Sequence, residues 1–485
     1  FQAPRLRVDW NRLSQDGHSE MRYVSLNAFF DTLFAVTLTS LHSEIGQQQD
    51  NRVLIHWAQY FGMLISLWLS TAEYSSRFDN DDVSHKIFWS LYGVGILGLL
   101  MHVEGETDST NTPVFALCFA WQYMLLAGHW LRCAIAIKRA RFHCGLISVI
   151  MAIHMSIALW AGSIEDNNHT RSLLFWILAF GYPLELLSSV LVQAIVAKCC
   201  YPHEAFLQSR KKLMIPLNNQ FHINRFSTLM LMVLAQVAKA VVWRPRQIFG
   251  NPRGLYEGCG CAFVVLVCLK VFSFDCDYLD ADDHALRRSL WRGIAFLLIY
   301  PIKIGSLFLM GCGMELLIAE IGEINSVRSV QHYWAQQLTC YGFASVLLAD
   351  IVMRHLHHIP YVRLLLLHQE RRRAAIVINV FRMQMWVQAG LAVASFLLPS
   401  DSLNSLTALI LTAVSMVVLC VINLFDEALL LRTVEERGHR RGGGGEDGSE
   451  KAKLDGERIV SEDVNPFGKL EDASQFLYDD GGEIY

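Results

Sequence analysis

Residues Leu403–Leu424 read LNSLTALILTAVSMVVLCVINL and contain no Asp, Glu, Lys, Arg or His. A run of about 20 apolar residues is what an α-helix needs to cross the hydrocarbon core of a bilayer. Inside lipid every backbone amide and carbonyl must be satisfied within the segment, so the run is expected as a helix and not as an open strand. Working outward, comparable runs precede it at Val24–Leu41, Val53–Ala72, Ile87–Val103, Pro113–Ile137, Cys144–Ala161, Leu173–Ala197, Phe221–Val242, Cys259–Phe274, Gly293–Ala319, Leu338–Met353 and Ala374–Leu398. Val24–Leu41 and Leu338–Met353 are the least apolar of them. The chain is 18% charged, against about 25% for a soluble domain, and most of its charges lie between the runs. The expected fold is all-α, a polytopic transmembrane helical bundle of about twelve helices.

Positive charge orients such a bundle, because short cytosolic loops are rich in Lys and Arg. Arg5, Arg7, Arg12 and Arg22 precede the first run, and Lys138, Arg139 and Arg141 follow the fourth. Arg210, Lys211 and Lys212 follow the sixth, Arg287 and Arg288 the eighth, Arg371, Arg372 and Arg373 the tenth, and Arg437, Arg440 and Arg441 the last. With twelve spans all these clusters fall on one side. Glu104–Thr112 and Gly162–Thr170, on the other side, contain no Lys or Arg, although Arg244, Arg246 and Arg253 break the pattern. Both termini are therefore expected in the cytosol, in a plasma membrane or endomembrane. The sequon Asn168-His169-Thr170 falls in a loop placed outside. Phe1–Glu20 has no apolar core of signal-peptide type, so targeting is expected from the first helix.

An internal repeat defines the domains. Phe30-Asp31-Thr32-Leu33 aligns with Phe226-Ser227-Thr228-Leu229. Forty-eight residues on, Arg77-Phe78-Asp79-Asn80-Asp81-Asp82 and His85 align with Ser273-Phe274-Asp275-Cys276-Asp277 and His284. Six helices separate the copies, so the halves run parallel. The expected organisation is a cytosolic segment 1–23, a six-helix repeat 24–197, a cytosolic linker 198–220, a second repeat 221–432 and a disordered acidic cytosolic tail 433–485. Asn465-Pro466-Phe467 in the tail is similar to the short peptides bound by endocytic adaptor domains.

Charges inside apolar helices need a reason, since each costs at least about 2.5–3.5 kcal/mol at mid-bilayer. Asn27, Asp31, Ala35 and Thr39 are spaced by four and share one small, polar helix face. That face either lines a pathway or packs on a neighbouring helix. The seventh run carries His222, Asn224, Arg225, Ser227, Gln236 and Lys239; Glu185 follows Gly181-Tyr182-Pro183, and Glu315 follows Gly311-Cys312-Gly313. Lys303, Asp350 and Arg382 are further intramembrane charges. The candidates for a pathway or polar core are Asn27, Asp31, Glu185, His222, Arg225, Gln236 and Glu315. The Asp/His groups at Arg77–His85 and Asp275–His284 read as helix caps, through Asp82 and Ser84 in the first, or as proton or metal groups. His355, His357 and His358 beside Arg354 read as solvated or headgroup-facing.

Nothing points to a soluble enzyme: there is no Walker loop, no dinucleotide glycine motif after a strand, no HExxH and no GxSxG. The 12 Cys form no CxxC pair and no zinc-type spacing, which marks them as small apolar packing residues. Cys199-Cys200, at a helix end before a basic loop, suits S-palmitoylation. No cofactor, metal or nucleic-acid partner is expected; the partners are the bilayer and an ion or small solute.

The assembled motifs resemble the low-temperature-requirement A family of membrane proteins. Asn27-Ala28-Phe29-Phe30-Asp31-Thr32-Leu33-Phe34 is similar to its first-helix motif, and Ser76-Arg77-Phe78-Asp79-Asn80-Asp81-Asp82 to the motif after its second helix. His222-Ile223-Asn224-Arg225-Phe226-Ser227, Phe274-Asp275 and Gly311-Cys312-Gly313 resemble its later motifs. The resemblance covers most of residues 22–425. It implies a polytopic membrane protein; the activity of the family is itself loosely defined. Two positions depart from the pattern: Asn224 and Gln236 stand where the family has Glu, which removes titratable groups. A more distant likeness links Phe29-Phe30-Asp31 and Phe226-Ser227-Thr228 to the two-repeat potassium channels of endosomes and lysosomes. The expected function is transport or conduction of an ion or small solute; the alternative is a non-transporting membrane sensor or scaffold.

Overall fold

A computed structural model of the chain describes residues 6, 21–47, 51–78, 83–103, 111–164, 168–200, 213, 215, 217–243, 252–275, 284–322, 330–357, 371–399 and 403–442. The helices are α1 Met21–Gln47, α2 Asn51–Arg77, α3 Val83–His102, α4 Asn111–Ala136, α5 Arg141–Ser163, α6 Asn168–Ala179 and α7 Gly181–Cys200. They continue as α8 Asn219–Trp243, α9 Pro252–Lys270, α10 Leu290–Gly322, α11 Val330–Leu356, α12 Arg371–Leu397 and α13 Ser405–Gly442. Among the described residues there is no strand, only an isolated bridge between Leu6 and Phe78.

Eight of the described helices are long and apolar enough to cross a membrane: α2, α3, α4, α5, α7, α9, α10 and α13. The four remaining expected runs are helical too, but among the described residues α1 is apolar only over the shorter stretch Ala28–Leu41, and α8, α11 and α12 carry Arg225, Asp350 and Arg382 respectively. The sixth run is broken rather than continuous. α6 and α7 meet at Phe180, just before Pro183, which has no N–H to offer the Ala179 carbonyl. The Ser66 hydroxyl of α2 donates to that carbonyl at 2.8 Å, so the break is compensated from across the bundle. α9 ends in a π-helical turn, Val271–Asp275, that carries the second Phe-Asp motif.

Side chains sort by what surrounds them. Of the apolar stretch of each helix, 72% is buried in α2 and 67% in α10, against 22% in α7, so α2 and α10 are interior helices. Outward, Leu91, Val94, Leu97, Leu131, Ile135, Val149, Ile153, Leu187, Leu191, Ile195, Val414 and Val421 are exposed. On a soluble protein so large an apolar surface would be anomalous; on membrane-crossing helices it faces lipid. With no hydrophobic drive between helices in lipid, close contact relies on small residues. A Cβ on Gly62 would lie 2.8 Å from that of Ala179, and one on Gly342 would lie 2.7 Å from the backbone nitrogen of Met310. These glycines let α2 approach α6, and α11 approach α10.

The chain divides into two compact units, Phe1–Leu424 and Phe425–Tyr485. In the second, α13 continues as helix to Gly442, beyond the point near residue 433 where the tail is expected to start. Helix formers such as Glu and Arg sustain it until the glycine run, where helix propensity falls. Residues 443–485, including Asn465, Pro466 and Phe467, lie outside the described residues.

Candidate functional site

The small, polar face of α1 points inward. Asp31 and Ala35 are each 1% exposed, and the half-buried Thr39 hydroxyl donates back to the Ala35 carbonyl. Asp31 meets Arg225 of α8 in a buried ion pair, and accepts a second hydrogen bond from Trp68 Nε1 of α2 at 2.7 Å. Arg225 also donates to the Ser75 hydroxyl at 2.6 Å and lies 5.3 Å from the Trp68 ring centre. The Thr71 and Tyr92 hydroxyls bond at 2.7 Å, tying α3 to the same group. Burying an ion pair carries a desolvation cost that only good geometry and extra hydrogen bonds offset. Here the aromatic faces, hydroxyls and indole N–H supply those bonds.

The Arg-Phe-Asp motif at the end of α2 acts as a clamp. Arg77 pairs with Glu73 one turn earlier at 2.6 Å and donates to the Ile215 carbonyl, which precedes α8. Asn218 N–H donates to the Ser76 carbonyl, and the Ser76 hydroxyl bonds His222 Nδ1 at 2.8 Å. Asn218 also caps α8 by accepting from Phe221 N–H. Phe78 is buried against Tyr74 and Trp130. The start of α8, with Arg225, is thereby fixed against α2. Asp79 and Asp82 lie outside the described residues, as do the side chains of Asn27 and Asp275.

His85 and His284 are buried at comparable places. His85 accepts from Trp89 Nε1 and lies 5.5 Å from His129, with Phe88 touching both. His284 caps the one-turn helix Ala285–Arg288 through Leu286 N–H and lies 4.5 Å from His357, with Phe296 touching both. Phe30 packs on Trp89 and Tyr92; Phe226 packs on Phe296 and Tyr300. Phe274 is half-buried in its π-turn. Among the described residues no group of three or more His, Cys, Asp or Glu could hold a metal.

A second ionic cluster joins α10 and α11. Lys303 pairs with Asp350 at 3.2 Å, and Arg354 with the other oxygen of Asp350 at 2.7 Å. Arg354 further donates to Asn423 Oδ1 and lies 4.8 Å from the Phe272 ring centre. Glu185 is 1% exposed on α7 and accepts from the Ser70 hydroxyl at 2.7 Å. Glu315 and Gln236 are half-buried, and Arg382 is exposed.

One expectation is overturned. His357 is not solvated: it is 2% exposed and accepts from Ala285 N–H at 2.9 Å, whereas its neighbour His355 is exposed. The end of α11 packs there against the one-turn helix Ala285–Arg288, and His357 supplies the acceptor that the start of that helix lacks. The sequence alone does not single out Glu73, Trp68 or Tyr92. Glu73 stands four residues before Arg77, the spacing of a helical ion pair, which is the signal that could have found it.

Among the described residues the cysteines are free, and Cys199 and Cys200 are exposed. No curated protein and no solved structure matches the chain. The family described as "Bacterial low temperature requirement A protein (LtrA)" matches residues 25–423, a span that takes in α1's Phe-Asp motif, the α2 clamp, Arg225 and both ionic clusters. The chain is thus an integral membrane protein that belongs to the low temperature requirement A family.

Proposed function

We propose that this protein moves an ion or small solute across the membrane, along the polar core between α1, α2, α7 and α8. The observation that carries the reading is the concentration of buried Asp31, Glu73, Arg77, Glu185 and Arg225 in one region of a lipid-embedded bundle. Lipid-embedded charges of this kind characteristically mark substrate and ion routes. The protein is read as a transporter and not as an enzyme, in a plasma membrane or endomembrane, with both termini cytosolic as the basic loops favour.

The same reading includes two parallel six-helix repeats. Its support is the matched aromatic and histidine groups: Phe30 with Trp89, Tyr92, His85 and His129 in one half, Phe226 with Phe296, Tyr300, His284 and His357 in the other. Parallel repeats related by an axis along the membrane normal are a known transporter plan.

The competing reading is a membrane sensor or scaffold. The one-to-one Asp31–Arg225 pair favours it, since paired charges can simply hold helices together. Hydroxyl-radical footprinting in lipid discs separates the two. A transport route admits water at some stage of its cycle, so Trp68 and Tyr92 should be labelled although buried. A core that stays unlabelled while the loops react would favour the scaffold.

A further inference from the structure

The charges of the core do not balance. Three carboxylates, Asp31, Glu73 and Glu185, are buried among the described residues of α1, α2, α7 and α8, and two guanidinium groups, Arg77 and Arg225, answer them. Arg225 is taken by Asp31, and Arg77 by Glu73. Glu185 keeps one hydrogen bond, from Ser70 to Oε2, while its Oε1 is buried without a hydrogen-bond partner among the described residues.

Further polar groups without hydrogen-bond partners among the described residues lie one turn away along α7. Gly181 lies one turn before Glu185 on the same face of α7, at the helix break. A Cβ on Gly181 would lie 3.3 Å from the Tyr123 hydroxyl of α4 and 3.7 Å from His154 Nε2 of α5. The Tyr123 hydroxyl and His154 Nδ1 are themselves buried without hydrogen-bond partners among the described residues. An unpartnered hydroxyl, that of Tyr123, and the His154 ring thus lie against Gly181, a residue without a side chain one turn before Glu185.

Other groups facing this site do not neutralise a carboxylate. From α2 come Glu73, which repels Glu185, and Arg77, which attracts it but is bound to Glu73. Tyr182 on α7 is also beside both carboxylates. On α5, His143 bonds Gln193, two turns further along α7. On α6, Arg171 donates to the Ile164 carbonyl and His169 is exposed. A metal cation would need several oxygen ligands, and no cluster of three or more acidic or histidine ligands forms among the described residues. A proton needs one.

We propose that Glu185 is a proton-binding site, a neutral carboxylic acid at rest, and that the transport proposed above is coupled to loss and regain of this proton. When the site opens to water, the O–H bond at Glu185 Oε1 breaks and the proton leaves to the aqueous phase. The carboxylate that remains keeps the Ser70 hydroxyl and the field of Arg77. Reprotonation restores the neutral acid. The coupling rests on the transport reading; the proton site does not.

The test uses the full chain, purified and in vesicles. Infrared spectra at neutral pH should contain a carboxylic acid C=O band that Glu185→Gln removes and Glu73→Gln leaves. Glu185→Gln should melt at the parent temperature, because the amide mimics the neutral acid and still accepts from Ser70. Glu73→Gln strands Arg77 and should melt lower. Absence of the band, or a Glu185→Gln chain that misfolds, would overturn the proton site, since an ionised Glu185 would then be a partner that the fold needs. In vesicles, flux should follow an imposed pH gradient in the parent and lose that dependence in Glu185→Gln. Flux indifferent to pH in the parent overturns the coupling. A present acid band with no flux under any gradient refutes the transport reading and leaves the proton site standing.

Discussion

Asp31 and Arg225 stand 194 residues apart in the chain and are bound to one another in the interior of the bundle. The two motifs that mark the sequence at Phe30-Asp31 and Arg225-Phe226 are thus one structural unit, fastened by Trp68 and Ser75 of the helix between them. Breaking one partner of a buried pair leaves an uncompensated charge and costs about 3–5 kcal/mol. Asp31→Asn should therefore lower the melting temperature sharply. The double variant Asp31→Asn with Arg225→Gln removes both charges and should recover most of the loss. Differential scanning fluorimetry of the four proteins checks this; losses that simply add would mean the two residues are independent.

The break between α6 and α7 makes a second coupled pair. Ser66→Ala leaves the Ala179 carbonyl without its hydroxyl donor, a loss of about 1–3 kcal/mol for a buried acceptor. Pro183→Ala restores an N–H that can serve the same carbonyl. In that background Ser66→Ala should cost less. An equal cost in both backgrounds would show that the Ser66 bond does not compensate for the proline.

Gly342 is predicted to tolerate no side chain. A methyl group there meets the backbone of Met310, which cannot rotate aside, so Gly342→Ala should force α11 from α10 and destabilise the bundle by about 1–3 kcal/mol. Gly128 and Gly145, with nothing within 4 Å of an added Cβ, serve as controls, and their alanine variants should melt near the parent temperature.

Much of this architecture is legible in the sequence because lipid imposes a strict rule on composition. The twelve expected runs lie largely on helices, eight of them long and apolar enough to cross a membrane, and Asp31 is found in an ion pair with a neighbouring helix. What sequence could not supply was partnership. Arg225 is legible as a costly charge, but nothing local says that it meets Asp31 rather than a substrate. His357 reads as solvated because it stands in a run of histidines after Arg354; its burial depends on the one-turn helix at Ala285 and on Phe296 of α10 packing over it. The compensation of Pro183 by Ser66 was likewise hidden, since it joins residues 113 apart from Ser66 to Ala179.

Topology can be tested without function. If both termini are cytosolic, as proposed above, protease added to sealed right-side-out vesicles should spare an epitope placed after Gly442 and should destroy it only once the vesicles are lysed. Digestion of the epitope in intact right-side-out vesicles would reverse the assigned orientation of α13.

The central claim is that the polar core carries something across the membrane, and flux in reconstituted vesicles tests it most directly. Protein verified as folded is placed in sealed liposomes, and uptake is followed for protons, monovalent cations and anions under imposed gradients. The account predicts flux of at least one ion above protein-free liposomes, altered by Glu185→Gln while the fold is retained. Folded protein that carries none of these ions under any gradient, and no small solute in the same assay, would contradict it and leave a membrane scaffold.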